Sequence, residues 1–152
     1  MAEDARFRDA DERPVRLWAT DADDLQVVSA LCQDAVLSAV DLRWSQRERR
    51  FSMLLNRFRW EDRRSTERVR TLLDMGDVRR VAGQGVRPGD ADTVLSLLTM
   101  AWEPGEDADG RLVLTFAGDG AVMVEADCLD LRLADMTQPY RAPSGKRPDH
   151  DV

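Results

Sequence analysis

The sequence predicts a single α+β domain that is built mainly from antiparallel strands. Over most of the stretch from residue 36 to 125, apolar side chains recur with a period of two residues. Turn residues separate these periodic stretches, most clearly at Gly118-Asp119-Gly120. The length of 152 residues is that of one domain. We therefore expect a globular domain at residues 14–138, with disordered segments at 1–13 and 139–152, where charged and proline-containing stretches lack a core.

The first predicted elements are a strand at residues 15–19 and a helix at residues 21–33. Thr20 is predicted as the helix N-cap, and three aspartates follow in the first turn, where carboxylates interact favourably with the helix dipole. Those aspartates could instead suggest a metal site. We favour the charged helix start, because apolar residues follow at helical spacing from Leu25 to Cys32.

Seven strands are then expected, at residues 36–44, 50–60, 69–73, 78–81, 93–102, 111–116 and 121–125. In the second of them the apolar residues are odd-numbered as far as Leu55 and even-numbered from Phe58. Such a change of phase predicts a bulge or a sharp bend. The four tryptophans share the phase of apolar neighbours, so we expect them to pack in the core.

The last element is ambiguous, because Leu129, Leu131 and Leu133 alternate as in a strand while the same stretch also fits a helix. We predict a helix at residues 127–137, since no β-branched residue occurs from Cys128 to Met136. A strand–helix extension, seven antiparallel strands with one bent, and a C-terminal helix match the element order of a pleckstrin-homology-like bent barrel or roll.

Charge and cysteine content narrow the function classes. The net charge of −7 argues against general nucleic-acid binding. Cys32 and Cys128 lie among apolar residues and are expected to be reduced and chemically inert. Because no apolar run is long enough to span a membrane and residues 1–13 are strongly charged, we expect a cytoplasmic protein.

No catalytic or metal-binding signature is recognisable. His150 is the only histidine, so a nucleophile pair lacks a base and a zinc site lacks ligands. The glycine-rich stretch at residues 83–89 does not have the spacing of a dinucleotide-binding loop, and residues 105–116 do not fit a calcium loop. We expect no metal and no cofactor, and the sequence does not predict an enzyme.

One segment stands out by its charge. Ten arginines lie between residues 43 and 70, so that this segment is +6 while the rest of the chain is −13. Guanidinium groups bind phosphate and carboxylate bidentately. The residues around the first hairpin turn are therefore predicted to bind an anionic ligand, namely Arg43, Arg47, Arg49 and Arg50. The alternative is a solvated strand face whose arginines pair with the chain's own acids.

Five stretches carry a family resemblance: Leu17-Trp18-Ala19, residues 21–25, Arg49-Arg50-Phe51, residues 54–61 and residues 67–70. The stretch at residues 54–61, Leu-Leu-Asn-Arg-Phe-Arg-Trp-Glu, contains the part that is most specific to this family. From about residue 15 to 139 the chain resembles an uncharacterised alphaproteobacterial family known only as a domain of unknown function. The resemblance implies a bacterial cytosolic origin and carries no activity.

These observations lead to three functional expectations. The first is a non-catalytic cytosolic interaction or scaffold module whose partner is another protein. The alternative is a module that binds an anion at the first hairpin: a phospholipid head group, a nucleotide or RNA. The third is an enzyme whose site is assembled from dispersed residues.

Overall fold

The computed structural model describes residues 14–61, 67–87, 90, 93–136 and 140–141, which contain one α-helix and eleven strands. In chain order the elements are β1 (Arg16–Ala19), α1 (Ala22–Leu31), β2 (Val36–Ser38), β3 (Leu42–Ser45), β4 (Arg50–Phe58), β5 (Glu67–Met75), β6 (Val78–Gln84), β7 (Val94–Pro104), β8 (Gly110–Phe116), β9 (Ala121–Ala126), β10 (Leu131–Asp135) and β11 (Tyr140–Arg141). A 3₁₀ turn at Ala39–Asp41 separates β2 from β3.

All strands belong to one antiparallel sheet with the order β1-β10-β5-β4-β2-β7-β8-β9-β6, while β3 pairs with β4 and β11 with β5. The sheet is open, because its path ends at β1 and at β6. Strand β7 joins its two halves: the first residues pair with β2, and the remainder pairs with β8 after a register shift between Leu97 and Thr99.

The core lies on one face of the sheet, which we call the inner face. Alternate residues of β4 and β5 point into it, as the period of two requires, among them Met53 and Leu73. Helix α1 adds Leu25, Val28 and Cys32 to the same core and packs against β7 and β1. Each fully buried side chain of leucine size contributes roughly 1.5–3 kcal/mol relative to an exposed one.

The predicted pleckstrin-homology-like barrel of seven strands with a C-terminal helix is wrong. Residues 127–137 contain the strand β10, which pairs with β5 on one side and β1 on the other. Its inward residues Leu131 and Leu133 are buried opposite Met75 and Leu73 of β5. Pairing on both sides and burial of the leucines outweigh the helix propensity of the sequence.

The predicted bulge in the second long strand is also wrong. Strand β4 pairs with β5 in unbroken register from Phe51 to Phe58. The inward positions continue after Leu55 with Arg57, which is fully buried. The change of apolar phase therefore reflects a charged residue in the core and not a bulge.

The predictions of β1 and α1 are confirmed, with one correction. The N-cap is Asp21 and not Thr20, since the Asp21 carboxylate accepts a hydrogen bond from the Asp24 N–H at 2.8 Å. The hairpin of β8 and β9 is confirmed as well. Positive φ at Gly118 (84°) and Asp119 (68°) forms the tight turn that two twisted strands need.

Several expectations concern residues outside the described part. His150 and the predicted disordered segments 1–13 and 139–152 lie there, apart from Tyr140 and Arg141 in β11. Within the described residues, no helix combines the length and apolar character required to cross a membrane.

Candidate functional site

The candidate functional site is the face of the sheet opposite the core, which we call the outer face. It carries the outward side chains of β3, β4, β5, β10 and β1. One cross-strand row consists of Arg43, Ser52, Asp74, Arg132 and Trp18. The next row consists of Leu54, Leu72, Ala134 and Arg16. Alternation along each strand places these rows on the same side of the sheet.

An apolar strip crosses the outer face. Leu54, Leu72 and Ala134 are half-buried and stand directly opposite one another on three neighbouring strands. Trp18 lies on β1, diagonal to Ala134 of β10, and is 60% exposed. Met136 follows β10 and is 58% exposed. The prediction that all four tryptophans pack in the core is thus wrong for Trp18. The strip is larger than the isolated apolar residues that most surfaces carry.

Two polar groups fix the indole of Trp18. Its N–H donates to the Asp130 carboxylate at 2.6 Å. The Arg132 guanidinium lies over the ring, 5.2 Å from the centroid, and its Nε is 3.9 Å from the same carboxylate. Such cation–π contacts contribute about 0.5–1 kcal/mol at exposed sites. The tryptophan is therefore held in position while more than half of its surface faces solvent.

Two of the four predicted ligand-binding arginines border this face. Arg43 is exposed at the end of the first row, and Arg50 forms an ion pair with Asp74. A shallow groove of about 250 Å³ is lined by both arginines and also by Glu48 and Asp74. Arg47 is exposed in the adjoining turn, and within the described chain neither Arg43 nor Arg47 forms an ion pair.

Arg49 points elsewhere. Its φ of 55° is uncommon for a residue with a side chain, and its carbonyl accepts a hydrogen bond from Val78 N–H at 3.0 Å. Its guanidinium donates to the Asp127 carboxylate at 2.5 Å, and Arg79 donates to that carboxylate too. These bonds hold the pKa of Asp127 below its usual value. Arg49 therefore ties together three turns of the sheet, and the structure does not bring it next to Arg43.

A buried ionic cluster, missed from the sequence, lies beneath one end of the outer face. The Arg57 side chain is fully buried and donates to two carboxylates. Its Nε and Nη2 donate to Asp135 at 3.1 and 2.9 Å, and its Nη1 and Nη2 donate to Glu61 at 2.8 and 2.7 Å. The Thr71 hydroxyl also donates to Asp135, at 2.8 Å. Burial alone would lower the pKa of Arg57, but the hydrogen bonds that its guanidinium donates to Glu61 and Asp135 outweigh burial and raise the pKa.

This cluster supports the outer face. Asp135 accepts a hydrogen bond from the backbone N–H of Val15 at 2.8 Å and, through its own N–H, donates to the Val15 carbonyl at 2.9 Å. Val15 precedes β1, the strand that carries Trp18. The one sequence signal for the cluster is the spacing of Arg57 and Glu61 in the Arg-Phe-Arg-Trp-Glu stretch. Asp135, 78 residues from Arg57, has no such signal.

The cysteines are both free thiols. Burial raises the pKa of Cys32 to about 12. Cys128 is half-buried, with its Sγ 3.5 Å from the Asp77 carboxylate, and its pKa is raised mainly by desolvation. In the described part of the chain, no three His, Cys, Asp or Glu side chains are grouped so that they could hold a metal ion.

Comparisons with known proteins identify a family. The family model "Protein of unknown function (DUF2948)" matches residues 15–150, which include every strand and the helix described above. Neither the curated proteins nor the solved structures gave a match. Because the match spans most of the 152 residues, the chain belongs to the DUF2948 family of proteins of unknown function.

Proposed function

We propose that the protein is a non-catalytic interaction module that binds an acidic segment of another protein on its outer face. The observation that carries this proposal is Trp18, which is 60% exposed and yet held in place by Asp130 and Arg132. A fixed, exposed tryptophan loses little side-chain entropy on binding. Tryptophan and arginine are the residues in which interface binding energy most often concentrates.

Charge indicates the kind of partner. Arginines border the apolar strip on several sides: Arg16, Arg43, Arg50 and Arg132. The whole chain is nevertheless −7, so an acidic partner is attracted to this face and repelled by most other surfaces. Leu54 and Leu72 at the centre of the strip offer apolar contact, and Arg16 and Arg43, which form no ion pair within the described chain, offer bidentate hydrogen bonds to carboxylates.

The two free thiols, one of them half-buried, support a reducing compartment, and we place the interaction in the cytoplasm.

A second candidate function is the binding of a phospholipid head group, a nucleotide or RNA at the first hairpin. It is favoured by Arg43 and Arg47, which are exposed and form no ion pair in the described chain. It is weakened at Arg49 and Arg50, which are already paired with Asp127 and Asp74.

Affinity capture from the native host, followed by mass spectrometry, tests the first proposal. Wild type is compared with a double variant of the outer face, Arg43→Glu with Arg132→Glu. The matched control carries the same change of charge elsewhere, Arg80→Glu with Arg87→Glu, at two exposed arginines on or after β6. Each captured protein is then purified, and its affinity for the three forms is measured at low and high salt.

We expect at least one partner with an acidic segment to lose ~tenfold or more in affinity for the outer-face variant, since ~1.4 kcal/mol corresponds to tenfold. The same partner should bind the control variant almost as well as wild type, and its affinity should fall as salt rises. Trp18→Ala should also weaken it. If every captured protein binds the outer-face variant and the control variant equally, the proposal fails.

The second candidate is tested separately with anionic lipid vesicles, nucleotides and RNA at low and high salt. The comparison is wild type against the double variant Arg43→Ala, Arg47→Ala, which leaves the ion pairs of Arg49 and Arg50 intact. Binding that falls with salt and is lost in the double variant would establish anion binding at the hairpin. If no anion binds, or if the double variant binds like wild type, the hairpin is a solvated face only.

A further inference from the structure

Strand β1 forms one end of the sheet, and its second edge has no strand partner in the described part of the chain. The Val15 carbonyl, just before β1, accepts a hydrogen bond from the Asp135 N–H at 2.9 Å and therefore points to β10. Because backbone groups point to alternate sides along an antiparallel strand, the N–H and C=O of Arg16 and Trp18 face the open edge. No other described residue bonds to these groups, so the edge can accept the backbone of an added strand.

Helix α1 leaves part of this edge uncovered. The helix contacts β1, and Ala19, next to the start of the helix, is fully buried. Towards the other end of the strand, Val15 and Leu17 pack against the core on the inner face but are only half-buried. On β10, by contrast, Leu133 stands opposite Leu17 and is 1% exposed. The core is thus incompletely covered beyond β1, at the position where one more strand would lie.

The side chains along the edge favour a segment in which acidic and apolar residues alternate. On the outer face, Arg16 is exposed and forms no ion pair within the described chain, so it can bind an acidic side chain of a neighbouring strand. Trp18 lies on the same side under the Arg132 guanidinium, and Asp130 already accepts the indole N–H. On the inner face, the half-buried Leu17 favours an apolar neighbour. Successive residues of a strand point to opposite faces, so these two requirements alternate along the partner.

We propose that the acidic partner segment binds as an extra strand on the open edge of β1. This inference rests on the proposed function and deepens it, because it assigns the mode of binding at the same surface. The segment exchanges backbone hydrogen bonds with Arg16 and Trp18, and its inward apolar side chains cover Leu17. Its acidic side chain lies beside Arg16, at the end of β1 away from the aspartates that begin α1. In strand addition of this kind, backbone hydrogen bonds provide affinity and alternate side chains provide specificity.

The probe is a phage-displayed library of short linear peptides in which acidic and apolar residues alternate, selected on the full-length protein. A second library of the same composition places the acidic residues in one block and the apolar residues in another. Affinities of the enriched peptides are measured for wild type, for Arg16→Glu and for the matched control Arg80→Glu, at an exposed arginine of β6. Each peptide is also N-methylated at one backbone nitrogen at a time, since the methyl group removes the N–H donor.

We expect peptides of the alternating library whose affinity falls ~tenfold or more in Arg16→Glu and stays within about twofold in Arg80→Glu. N-methylation should weaken binding only at every second residue of the peptide, because only alternate N–H groups of a strand face its neighbour. Hydrogen exchange read by NMR should slow at the Arg16 and Trp18 amides when peptide is bound. The Leu17 amide faces β10 and should change little.

Enrichment of block peptides alone, or of no peptide, would overturn the inference. So would an N-methylation profile without a period of two, equal affinities for Arg16→Glu and Arg80→Glu, or unchanged exchange at the Arg16 and Trp18 amides. The proposed function fails on a different result. If captured acidic partners lose affinity in the variant Arg43→Glu with Arg132→Glu but leave the Arg16 and Trp18 amides unchanged, the outer face binds its partner without an added strand.

Discussion

Replacing Arg57 by methionine should destabilise the fold more than any exposed ion-pair change. The substitution keeps an unbranched side chain of similar reach but removes four charge-assisted hydrogen bonds to Asp135 and Glu61. Asp135, whose side chain is only 5% exposed, would be left in the core without its guanidinium partner. Removing one partner of a buried ion pair costs about 3–5 kcal/mol, because the other charge remains without compensation.

The structure places the expected value near the lower end of that range. Asp135 keeps the Thr71 hydroxyl and the Val15 N–H as donors, and Glu61, 25% exposed, can turn towards water. A loss of ~3 kcal/mol is still a large part of the roughly 5–15 kcal/mol that stabilises a domain. For a chain of this size it corresponds to a fall in Tm of about 6–12 °C.

Urea unfolding followed by tryptophan fluorescence measures this loss as a shift of the midpoint at constant slope. Arg111→Met is the matched control, since Arg111 pairs with Glu103 and both side chains are about half exposed. The control should lose at most about 1 kcal/mol. Adding Asp135→Leu to Arg57→Met should recover part of the loss, because the buried unpaired charge is then gone. Equal losses in Arg57→Met and Arg111→Met would refute the reasoning.

Four further predictions follow from individual residues. At pH 8 iodoacetamide should modify Cys128 well before Cys32, because burial raises the pKa of Cys32 to about 12; mass spectrometry of the labelled chain checks the order. The stability contributed by the neutral Cys32 thiol is complete below its unfolded pKa of about 9 and is lost as the pH rises towards 12, so alkaline unfolding should be less steep in Cys32→Ala. Gly110→Ala should lose about 1–3 kcal/mol in thermal unfolding, because the added Cβ would lie 2.5 Å from a backbone oxygen and an indole ring of β7. By NMR, the carboxyl of Asp127 should titrate below its usual pKa, and in Arg49→Gln this pKa should rise back towards the usual value. The stability that the Arg49–Asp127 pair contributes should be present above the unfolded pKa of the carboxyl and should be lost as the pH falls through the lowered value.

Local patterns predicted the parts of the fold that depend on neighbours in the chain. The aspartates before Leu25 marked the start of α1, and the glycines around Asp119 marked the β8–β9 turn. The segment that became β10 has no local feature that requires a strand. Its conformation is decided by pairing with β1 and β5, which lie more than 50 residues earlier in the chain.

In the candidate site, too, the features that depend on neighbours in the chain could be predicted, and those that depend on distant residues could not. A cluster of arginines is visible in the sequence, and two of its members, Arg43 and Arg50, border the outer face. The sequence does not show that Asp127 turns Arg49 away, or that Trp18 lies outside the core. Arg57 is one of the ten arginines between residues 43 and 70, and nothing local marks it as buried, because its burial depends on Asp135, 78 residues away. The residues next to an arginine in the chain do not show whether its guanidinium is solvated at the surface or buried and paired in the core.

The position of β10 has a consequence for synthesis of the chain on the ribosome. Strand β1 ends at residue 19, but β10, its strand partner among the described residues, begins at residue 131. At typical elongation rates of about 5–20 residues per second, the intervening ~110 residues take roughly 6–22 s to be made. For that time the N-terminal strand lacks the partner that it has in the finished sheet, and Arg57, once it is made, has Glu61 but not Asp135 as a carboxylate partner. Nascent chains halted before residue 131 should therefore be good substrates for chaperones that bind exposed strands, whereas the released full-length chain should not.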